Sequence, residues 1–357
     1  MNPYPSKKEK LIYLSKMIII YIGSVVFSSS IFANPVLDHV AAGNVSIEQA
    51  PNSTVINQAS QKAIINWHSF NIGAQEATHF NQPNGGVALN RISPTQGASQ
   101  IYGKLSATGQ IILVNPAGVY ISPSAFINVG GIIATTAGIT DANFLNGNYK
   151  FDQVSPYSGS IINQGQIIAA NHGLVALVGN SVQNDGTIQA NMGKVVLASG
   201  ETFTMSFSGN TMIGFAIDKN TMQRGIDQHG NPLPDGVKNS GIILADGGSV
   251  LVTAKTAANV LDHVINMDGI IQAQSVNQIN GEIVLSGSDE SGVVRIAGKL
   301  NASGKSPNEK GGTVKVTGHN ILLTNSADID VSGDTSGGNI YIGGNYQGKG
   351  PLPNANA

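Results

Sequence analysis

Two carboxylates in the stretch DIDVSG come closest to a pattern that could do chemistry. Asp328 and Asp330 are two residues apart, so on a strand both side chains point to the same side and could share one cation. Glycan hydrolysis needs a carboxylate pair of this kind, whereas the calcium-binding repeat GGxGxD is absent. Exposed Asp at a strand end is common, so we interpret the pair as solvated. The other acidic residues are scattered, among them Asp141, Asp152, Asp185, Asp246, Asp268, Asp289 and Glu290.

The seven His residues show no spacing that is typical of a metal site. HExxH, GxSxG and P-loop patterns are also absent. His68 and His79 flank the FNIG stretch, and we interpret them as partners of turn backbone. Trp67, the single Trp, lies in an apolar–polar alternation and is predicted to pack in the core. The sequence therefore predicts no metal site, no cofactor and no enzymatic activity.

The stretch ILVNPAGVYIS interrupts a strand-like run with turn-forming residues. Pro116 fixes its φ at about −65°, and the Asn115 side chain can bond to nearby backbone N–H groups. Gly118 supplies a positive φ where the chain leaves the turn. The stretch predicts a tight turn between two short strands.

These residues must be positioned by a chain with few charges and many turn formers. Of its 357 residues only 11% are charged, and it contains 44 Gly and 36 Asn. Gly and Asn tolerate the left-handed backbone of tight turns, and an apolar fraction of 41% can still build a core. The composition predicts an all-β protein made of many short strands.

Two half-units repeat from about residue 160 onward. One is Asn-x-Gly-x-Ile-x-Ala, as in NQGQIIA from Asn163 and, 21 residues later, NDGTIQA from Asn184. The other is Gly followed by alternating apolar residues, as in GKVVLASG from Gly193. Such units cannot bury their own apolar face and must stack, which favours a parallel β-helix with Val195 and Leu197 inside. A β-propeller is the alternative, but its blades need about 40–45 residues each.

Residues 201–238 break this period. TFTMSFSGNTMIGFAID contains two alternating runs around Ser208, Gly209 and Asn210, and the polar QHGNPLPDG follows. The pattern predicts a β-hairpin and loop that project from the helix. Long insertions in solenoids often bind ligands, and a tolerated decoration is the alternative interpretation.

The N-terminus has the layout of a secretory signal peptide. A Lys-rich segment precedes the 11 residues Met17–Phe27, too few to span about 30 Å of hydrocarbon, and we predict cleavage between Ala33 and Asn34. Without residues 1–33, which hold four Lys and one Glu, the formal net charge falls from −2 to −5. No basic run remains, so nucleic acid is not a predicted partner. The chain has no Cys, which excludes a disulfide scaffold.

Residues 57–151 resemble a known family. NWHSFNIG, THFNQPNGGVALNRI, GQIILVNPAGVYISPSAFINVGGIIATT and NFLNGNYKF are similar to the N-terminal secretion domain of two-partner secretion exoproteins. These are the filamentous haemagglutinin-like proteins of Gram-negative bacteria. NQGQIIAANHGLVALVG and GGNIYIGGNYQGKGPLPNA resemble the β-helical repeats of the same family.

The resemblance implies a right-handed parallel β-helix with a capped N-terminus and an extra-helical hairpin. Residues 34–160 correspond to the secretion domain core and residues 161–357 to β-helical repeats. The implied route is the general export machinery, followed by recognition in the periplasm by an outer-membrane β-barrel transporter with POTRA domains. The folded product is then secreted or held at the cell surface, where its partner is a host cell receptor or glycan. We expect a monomer.

The resemblance also assigns a role to the turn at Asn115. The family motif is Asn-Pro-Asn-Gly, and here it reads Asn115, Pro116, Ala117 and Gly118, so the third position departs. If the third Asn contacts the transporter, that contact is missing; if it stabilises the turn, the loss is about 1 kcal/mol. The second family motif, Asn-Pro-Asn-Leu, does not occur. The candidate in its place consists of Asn81, Gln82, Pro83 and Asn84.

Three functions are consistent with the sequence. The leading one is a two-partner secretion exoprotein, a filamentous haemagglutinin-like adhesin whose secretion domain nucleates β-helix folding. The second is a surface β-helix that binds haem, a haem carrier or glycans, and the third is a polysaccharide-active enzyme. Because GKGPLPNANA offers no cap for a β-helix, we expect the chain to be a fragment of a longer protein.

Overall fold

The strands of the chain wind into a parallel β-helix in the computed structural model, which describes residues 34–258 and 260–357. Three stacks of parallel strands, called faces 1, 2 and 3 below, run along this helix, and one circuit of the chain is called a rung. The predicted β-helix is confirmed. The signal-peptide prediction, including Ala33, lies outside the described residues.

Each face is built from strands of successive rungs. Face 1 consists of β3 (Ser53–Gln58), β5 (Ala77–Asn81), the first parts of β8 (Lys104–Val114) and β10 (Phe126–Thr135), β13 (Gln166–Ala169), β16 (Thr187–Gln189), β21 (Ile242–Leu244), β24 (Ile270–Gln272), β27 (Lys299–Asn301) and β30 (Asp328–Asp330). Face 2 consists of β4 (Lys62–Ser69), β6 (Val87–Ile92), the second parts of β8 and β10, β14 (Leu174–Gly179), β17 (Lys194–Ser199), β22 (Ser249–Ala254), β25 (Glu282–Ser286), β28 (Thr313–Thr317) and β31 (Asn339–Ile342). Face 3 consists of β7 (Ser99–Ile101), β9 (Val119–Ile121), β12 (Ile161–Asn163), β15 (Val182–Asn184), β20 (Asp235–Asn239), β23 (His263–Met267), β26 (Val293–Ile296) and β29 (Asn320–Leu323). Short 3₁₀ segments occupy Pro94–Gln96 and Tyr346–Gly348.

Alternate side chains of each strand fill the interior in columns. On face 2 the column through Val195 is in register from rung to rung, and its members from β14 to β28 have no exposed surface. These members are Val175, Val195, Val250, Ile283 and Val314. Burying each such side chain stabilises the fold by about 1.5–3 kcal/mol. The predicted inward positions of Val195 and Leu197 are confirmed, since both are fully buried.

Two columns of stacked glycines explain the two repeated half-units. At the corner between faces 1 and 2, a Cβ on Gly193 would lie 2.1 Å from the carbonyl oxygen of Gly173. At the corner between faces 3 and 1, a Cβ on Gly186 would lie 2.1 Å from the carbonyl oxygen of Gly165. Backbone therefore stacks directly on backbone at both corners, and any side chain there would force the rungs apart.

The Asn of the first half-unit forms a ladder inside the helix. Asn163 Nδ2 donates to Asn184 Oδ1 at 2.7 Å, and Asn184 Nδ2 donates to Asn239 Oδ1 at 2.6 Å. All three side chains are fully buried, so each must find its partner in a neighbouring rung.

Two antiparallel strands close the N-terminal end of the helix. Strand β1 (Val36–Ala42) pairs antiparallel with β4, and β2 (Val45–Ala50) pairs antiparallel with β3. Half-buried Val45 and Ile47 pack against the interior column. The predicted N-terminal cap is confirmed, and it removes an edge that would otherwise accept another strand.

The residues after β31 return to face 3. Asn356 N donates to His319 O at 2.7 Å, and Ile321 N donates to Ala357 O at 2.9 Å. The expectation that GKGPLPNANA leaves this end bare is wrong for face 3, because these residues occupy the edge of β29. Ile340 and Ile342 of face 2 stay exposed.

A second layer covers the outside of face 2. Strand β11 (Tyr149–Phe151) and the hairpin of β18 (Thr202–Ser208) and β19 (Thr211–Lys219) form a three-stranded antiparallel sheet. Helix α1 (Asp141–Leu145) precedes β11, and no helix in the described part of the chain is long and apolar enough to cross a bilayer. The extra-helical hairpin was predicted and is confirmed, whereas the insertion that carries α1 and β11 was not anticipated.

The second layer rests on an outward column of apolar residues. The side chains of Phe151 and Phe203 stack at 4.4 Å above this column, and both are fully buried. The column runs in register through Ile64, Leu89, Ile112, Ile133, Ala176 and Val196. The layer therefore ties the first rungs of the helix to those that carry the hairpin.

Lys62 fastens helix α1 to the first rung. Its Nζ donates to the carbonyl oxygens of Phe144 at 2.8 Å and Leu145 at 2.9 Å and lies 5.5 Å from the centroid of the Phe144 ring. Burial lowers the pKa of this amine. A cation at the last carbonyls of a helix is favourable for both the hydrogen bonds and the helix dipole.

We expect Lys62→Met to lower the free energy of unfolding by about 1–2 kcal/mol, because the charged donor is lost while the aliphatic packing is kept. Urea denaturation of the purified chain measures the change. Lys104→Met is the matched control, since Lys104 is exposed and has no side-chain partner within the described residues; its effect should stay within about 0.5 kcal/mol. Equal effects of the two substitutions would contradict a stabilising role for the hydrogen bonds from Lys62 to helix α1.

Candidate recognition turn

The residues Asn115 to Gly118 form a tight turn between β8 on face 2 and β9 on face 3. Gly118 N donates to Asn115 O at 2.9 Å, the bond that closes a four-residue turn. Within the turn, Ala117 N donates to Asn115 Oδ1 at 2.9 Å. The Asn side chain thus mimics a backbone acceptor, as expected of Asn at the first position of a turn.

The side chain of Asn115 points into the protein and has no exposed surface. Its Nδ2 donates to Gly97 O at 3.1 Å and to Ser99 Oγ at 3.0 Å. With the bond from Ala117, the carboxamide is committed on both its donor and acceptor sides. Asn115 therefore links its own rung to the preceding rung and presents no side-chain atom to a partner of the folded protein.

Residues of the following rung pack against the same turn. A Cβ on Gly118, whose φ is +106°, would lie 2.6 Å from Ser160 O. Ser155 Oγ donates to Pro116 O at 3.0 Å, and Val119 N donates to Ser160 O at 3.0 Å. The turn is stacked between neighbouring segments, which leaves no room for a residue larger than Gly at position 118.

The accessible part of the turn is formed by Pro116 and Ala117, which are half-buried. The loop that contacts Pro116 exposes Val154 and Tyr157, at 44% and 41% of their surface. Sequence reasoning singled out the turn and missed this loop, because nothing in residues 152–158 marks them as neighbours of Pro116.

The second candidate motif lies at a different corner, between faces 1 and 2. Gly86 N donates to Pro83 O at 2.8 Å, and Asn81 Nδ2 donates to Asn57 Oδ1 at 2.8 Å. Gln82 is the residue that holds rungs together here: its Nε2 donates to Gln110 O at 3.0 Å, and its Oε1 accepts from Gly109 N at 3.1 Å. The structure does not bring the two motifs to one site, since they occupy separate corners.

The carboxylate pair at the end of face 1 is neutralised by lysines. Lys299 Nζ lies 2.9 Å from Asp328 Oδ2, and Lys305 Nζ lies 3.0 Å from Asp330 Oδ2. Each carboxylate has its own cation, so the pair does not converge on a shared ion. Among the described residues no group of three His, Asp or Glu side chains is placed to hold a metal.

Asp330 makes the free energy of unfolding depend on pH. Hydrogen bonds from Ser332 and the nearby Lys305 ammonium lower the pKa of Asp330 to about 2, from 3.8. A carboxyl whose pKa is lowered on folding stabilises the protein above the unfolded value, and this contribution is lost as the pH falls toward the folded value. We expect Asp330→Asn to remove about 1 kcal/mol of stability at pH near 5 and almost none at pH near 2. Urea midpoints at both pH values measure this, and an equal loss of stability at the two pH values would contradict the prediction.

The histidines that flank FNIG do not meet. His68 Nε2 lies 3.6 Å from Asp38 Oδ1, whereas His79 lies 2.6 Å from Ser106 Oγ and 2.8 Å from Asn81 Oδ1. Among the described residues neither histidine bonds to the backbone of the turn, so their interpretation as partners of turn backbone is wrong. Trp67 is buried as predicted, with its Nε1 donating to Asn90 Oδ1 at 2.9 Å.

Comparison with known proteins identifies the family of the chain. The family model for the TPS secretion domain matches residues 33–302. A heme/hemopexin-binding protein of Haemophilus influenzae strain Rd is 34% identical over 320 residues, which cover 86% of this chain and 33% of that protein. A second Haemophilus influenzae protein with the same name is 33% identical over 334 residues, covering 85% of this chain and 34% of its own.

A solved structure shares the architecture. The HMW1 secretion domain from Haemophilus influenzae superposes with a TM-score of 0.74 at 31% identity, covering 90% of this chain and 80% of that chain. The chain spans about a third of the length of the curated relatives it matches. This chain belongs to the TPS secretion domain family, the secreted or cell-surface exoproteins of Gram-negative two-partner secretion systems.

Proposed function

We propose that this chain is the export module of a two-partner secretion exoprotein. The family match over residues 33–302 is the observation that carries the proposal, since family members have a cognate outer-membrane transporter as partner. In our proposal the general export machinery delivers the chain to the periplasm and the POTRA domains of a β-barrel transporter then bind it. The chain acts as a monomer and without enzymatic activity.

The proposed role of the Asn115 turn is to start folding at the cell surface. Its buried hydrogen bonds to Gly97 and Ser99 support this role, because they form only when consecutive rungs stack. The transporter would read the accessible Pro116 and Ala117 and, at the other corner, the segment Asn81–Asn84. An unpaired strand edge of the incoming chain adds main-chain hydrogen bonds to such an encounter.

Export assays test the proposal directly. The chain is expressed in a Gram-negative host with and without its cognate transporter, and its amounts in periplasm and medium are compared. We expect release to the medium only with the transporter. Equal release without it would overturn the proposal, and periplasmic arrival in both cases controls for inner-membrane transit.

The role of the whole protein is a second proposal. A filamentous haemagglutinin-like adhesin fits the family, whereas the curated relatives are named for binding heme and hemopexin, which favours a haem or haem-carrier binder. Titration of the purified chain with haem and, separately, with hemopexin distinguishes the two. A polysaccharide-active enzyme has little support, because the lysine-paired Asp328 and Asp330 lack the open arrangement that glycoside hydrolysis needs.

A further inference from the structure

A small cleft lies where the tip of the hairpin meets the corner between faces 1 and 2. Its volume is about 290 Å³. Its floor is bare backbone, formed by the glycine column of this corner. A Cβ on Gly109, Gly130 or Gly173 would lie 2.4–2.6 Å from the carbonyl oxygen of the glycine in the rung before it. Stacking thus fixes a shallow trough that side chains cannot fill.

The hairpin turns this trough into a cleft. Asn210, at the tip between β18 and β19, reaches the corner, and its Nδ2 lies 3.0 Å from where a Cβ of Gly85 would be. Asn171 and His172 line the cleft as well. The polar side chains that line it are all neutral or imidazole: Asn84, Thr108, Gln110, Asn171, His172, Asn210 and Thr211.

The carboxamides of this cleft are uncommitted. Within the part of the chain that the structure describes, the side chains of Asn84, Gln110, Asn171 and Asn210 have no hydrogen-bond partner in the protein. The neighbouring cleft along face 1 differs, because its amides bond to one another, as Asn81 does to Asn57. Carboxamides both donate and accept, so four of them around one cavity can bond to the hydroxyls of a polar ligand.

His172 is held in a backbone conformation that suits glycine better. Its φ is +63°, and the same position of the next two rungs is occupied by Met192 with φ +55° and Gly247 with φ +68°. His172 Nδ1 lies 3.2 Å from Met192 O, a contact that requires the proton on Nδ1 and leaves Nε2 as an acceptor.

We propose that this cleft binds a neutral sugar residue, either free or at the end of a glycan. Sugar hydroxyls donate and accept at once, which matches four carboxamides, a threonine hydroxyl and an imidazole acceptor. No lysine, arginine or carboxylate lines the cleft to balance a charged ligand. The volume lies at the small end of ligand pockets, so it accommodates one ring with an open side for extension. This inference goes beyond the proposed export function and does not depend on it.

Saturation-transfer NMR on the purified full chain tests the proposal. The probes are glucose, galactose, mannose, N-acetylglucosamine and lactose, with N-acetylneuraminic acid as the anionic comparison. We expect at least one neutral sugar to bind with a dissociation constant on the order of 1 mM. Asn210→Ala and His172→Gly should each weaken that binding by about tenfold, the latter without lowering the melting temperature, because glycine prefers this φ.

Met192→Gly is the matched control, since it relieves the same backbone conformation one rung away and Met192 does not line the cleft. It should leave sugar affinity unchanged. The proposal is overturned if none of the neutral sugars binds, if N-acetylneuraminic acid binds instead, or if Met192→Gly weakens binding as much as His172→Gly. Binding is measured without the transporter, so such a failure is separate from a failure of the export proposal.

Discussion

Asn115→Ala is expected to lower the free energy of unfolding by about 3 kcal/mol and to leave most of the chain in the periplasm. The fully buried Asn115 side chain is the acceptor for Ala117 N and the donor to Gly97 O and Ser99 Oγ, and the substitution removes all three bonds. Each orphaned group costs about 1 kcal/mol or more. Urea denaturation of purified chain measures the stability, and immunoblots of periplasm and medium measure the export.

Ala117→Asn separates folding from recognition at the same turn. The residue is half-buried, and Asn restores the third position of the family motif, so stability should change by less than about 0.5 kcal/mol. Faster export of this variant at unchanged stability would show that the transporter reads position 117. Normal export of Asn115→Ala, in contrast, would show that the turn has no role in export.

Gly193→Ala is expected to be among the most destabilising single substitutions in the helix, by about 3 kcal/mol or more. The new Cβ would lie 2.1 Å from the carbonyl oxygen of Gly173, and this obstacle is a backbone group that already accepts from Lys194 N at 3.0 Å. Relief requires the rungs to separate, which breaks the hydrogen bonds of face 2. Thermal unfolding followed by circular dichroism measures the loss.

Gly214→Ala provides the matched comparison in the same chain. Its Cβ would meet Ser206 Cβ at 3.6 Å, an ordinary contact on the second layer. We expect a change within about 0.5 kcal/mol. If Gly193→Ala were tolerated equally well, the glycine columns would not be what sets the spacing of the rungs.

The β-helix after residue 160 was predictable because its determinants are local. The rungs from Asn163 to Gly312 repeat a glycine at two corners, and the first three of them have an asparagine before one of these glycines, as at Asn184, Gly186 and Gly193. The rungs before residue 160 could not be predicted from such a repeat. Strands β8 and β10 run from face 1 to face 2 without a turn, so the period that marks the later rungs does not show.

The second layer could not be read from the sequence for a related reason. Strand β14, with the sequence LVALVG, is buried at every position, because one side faces the interior and the other faces the second layer. A strand buried on both sides reads as a continuous apolar run, which does not reveal what covers it. The insertion 136–160 has no periodic signal, and only packing places its aromatic residues on the outward column.

The chemistry of Asn, Pro and Gly by itself determined that residues 115–118 form a turn, since those preferences act over a few bonds. Only the tertiary structure decided that the Asn115 side chain faces inward, because Gly97 and Ser99 reach it through the stacking of rungs. The same holds for the cleft at His172, whose walls come from rungs and a hairpin far apart in the chain. Local residue preferences determine the strands and turns of each rung. The stacking of the rungs determines which residues meet at the Asn115 turn and at the cleft.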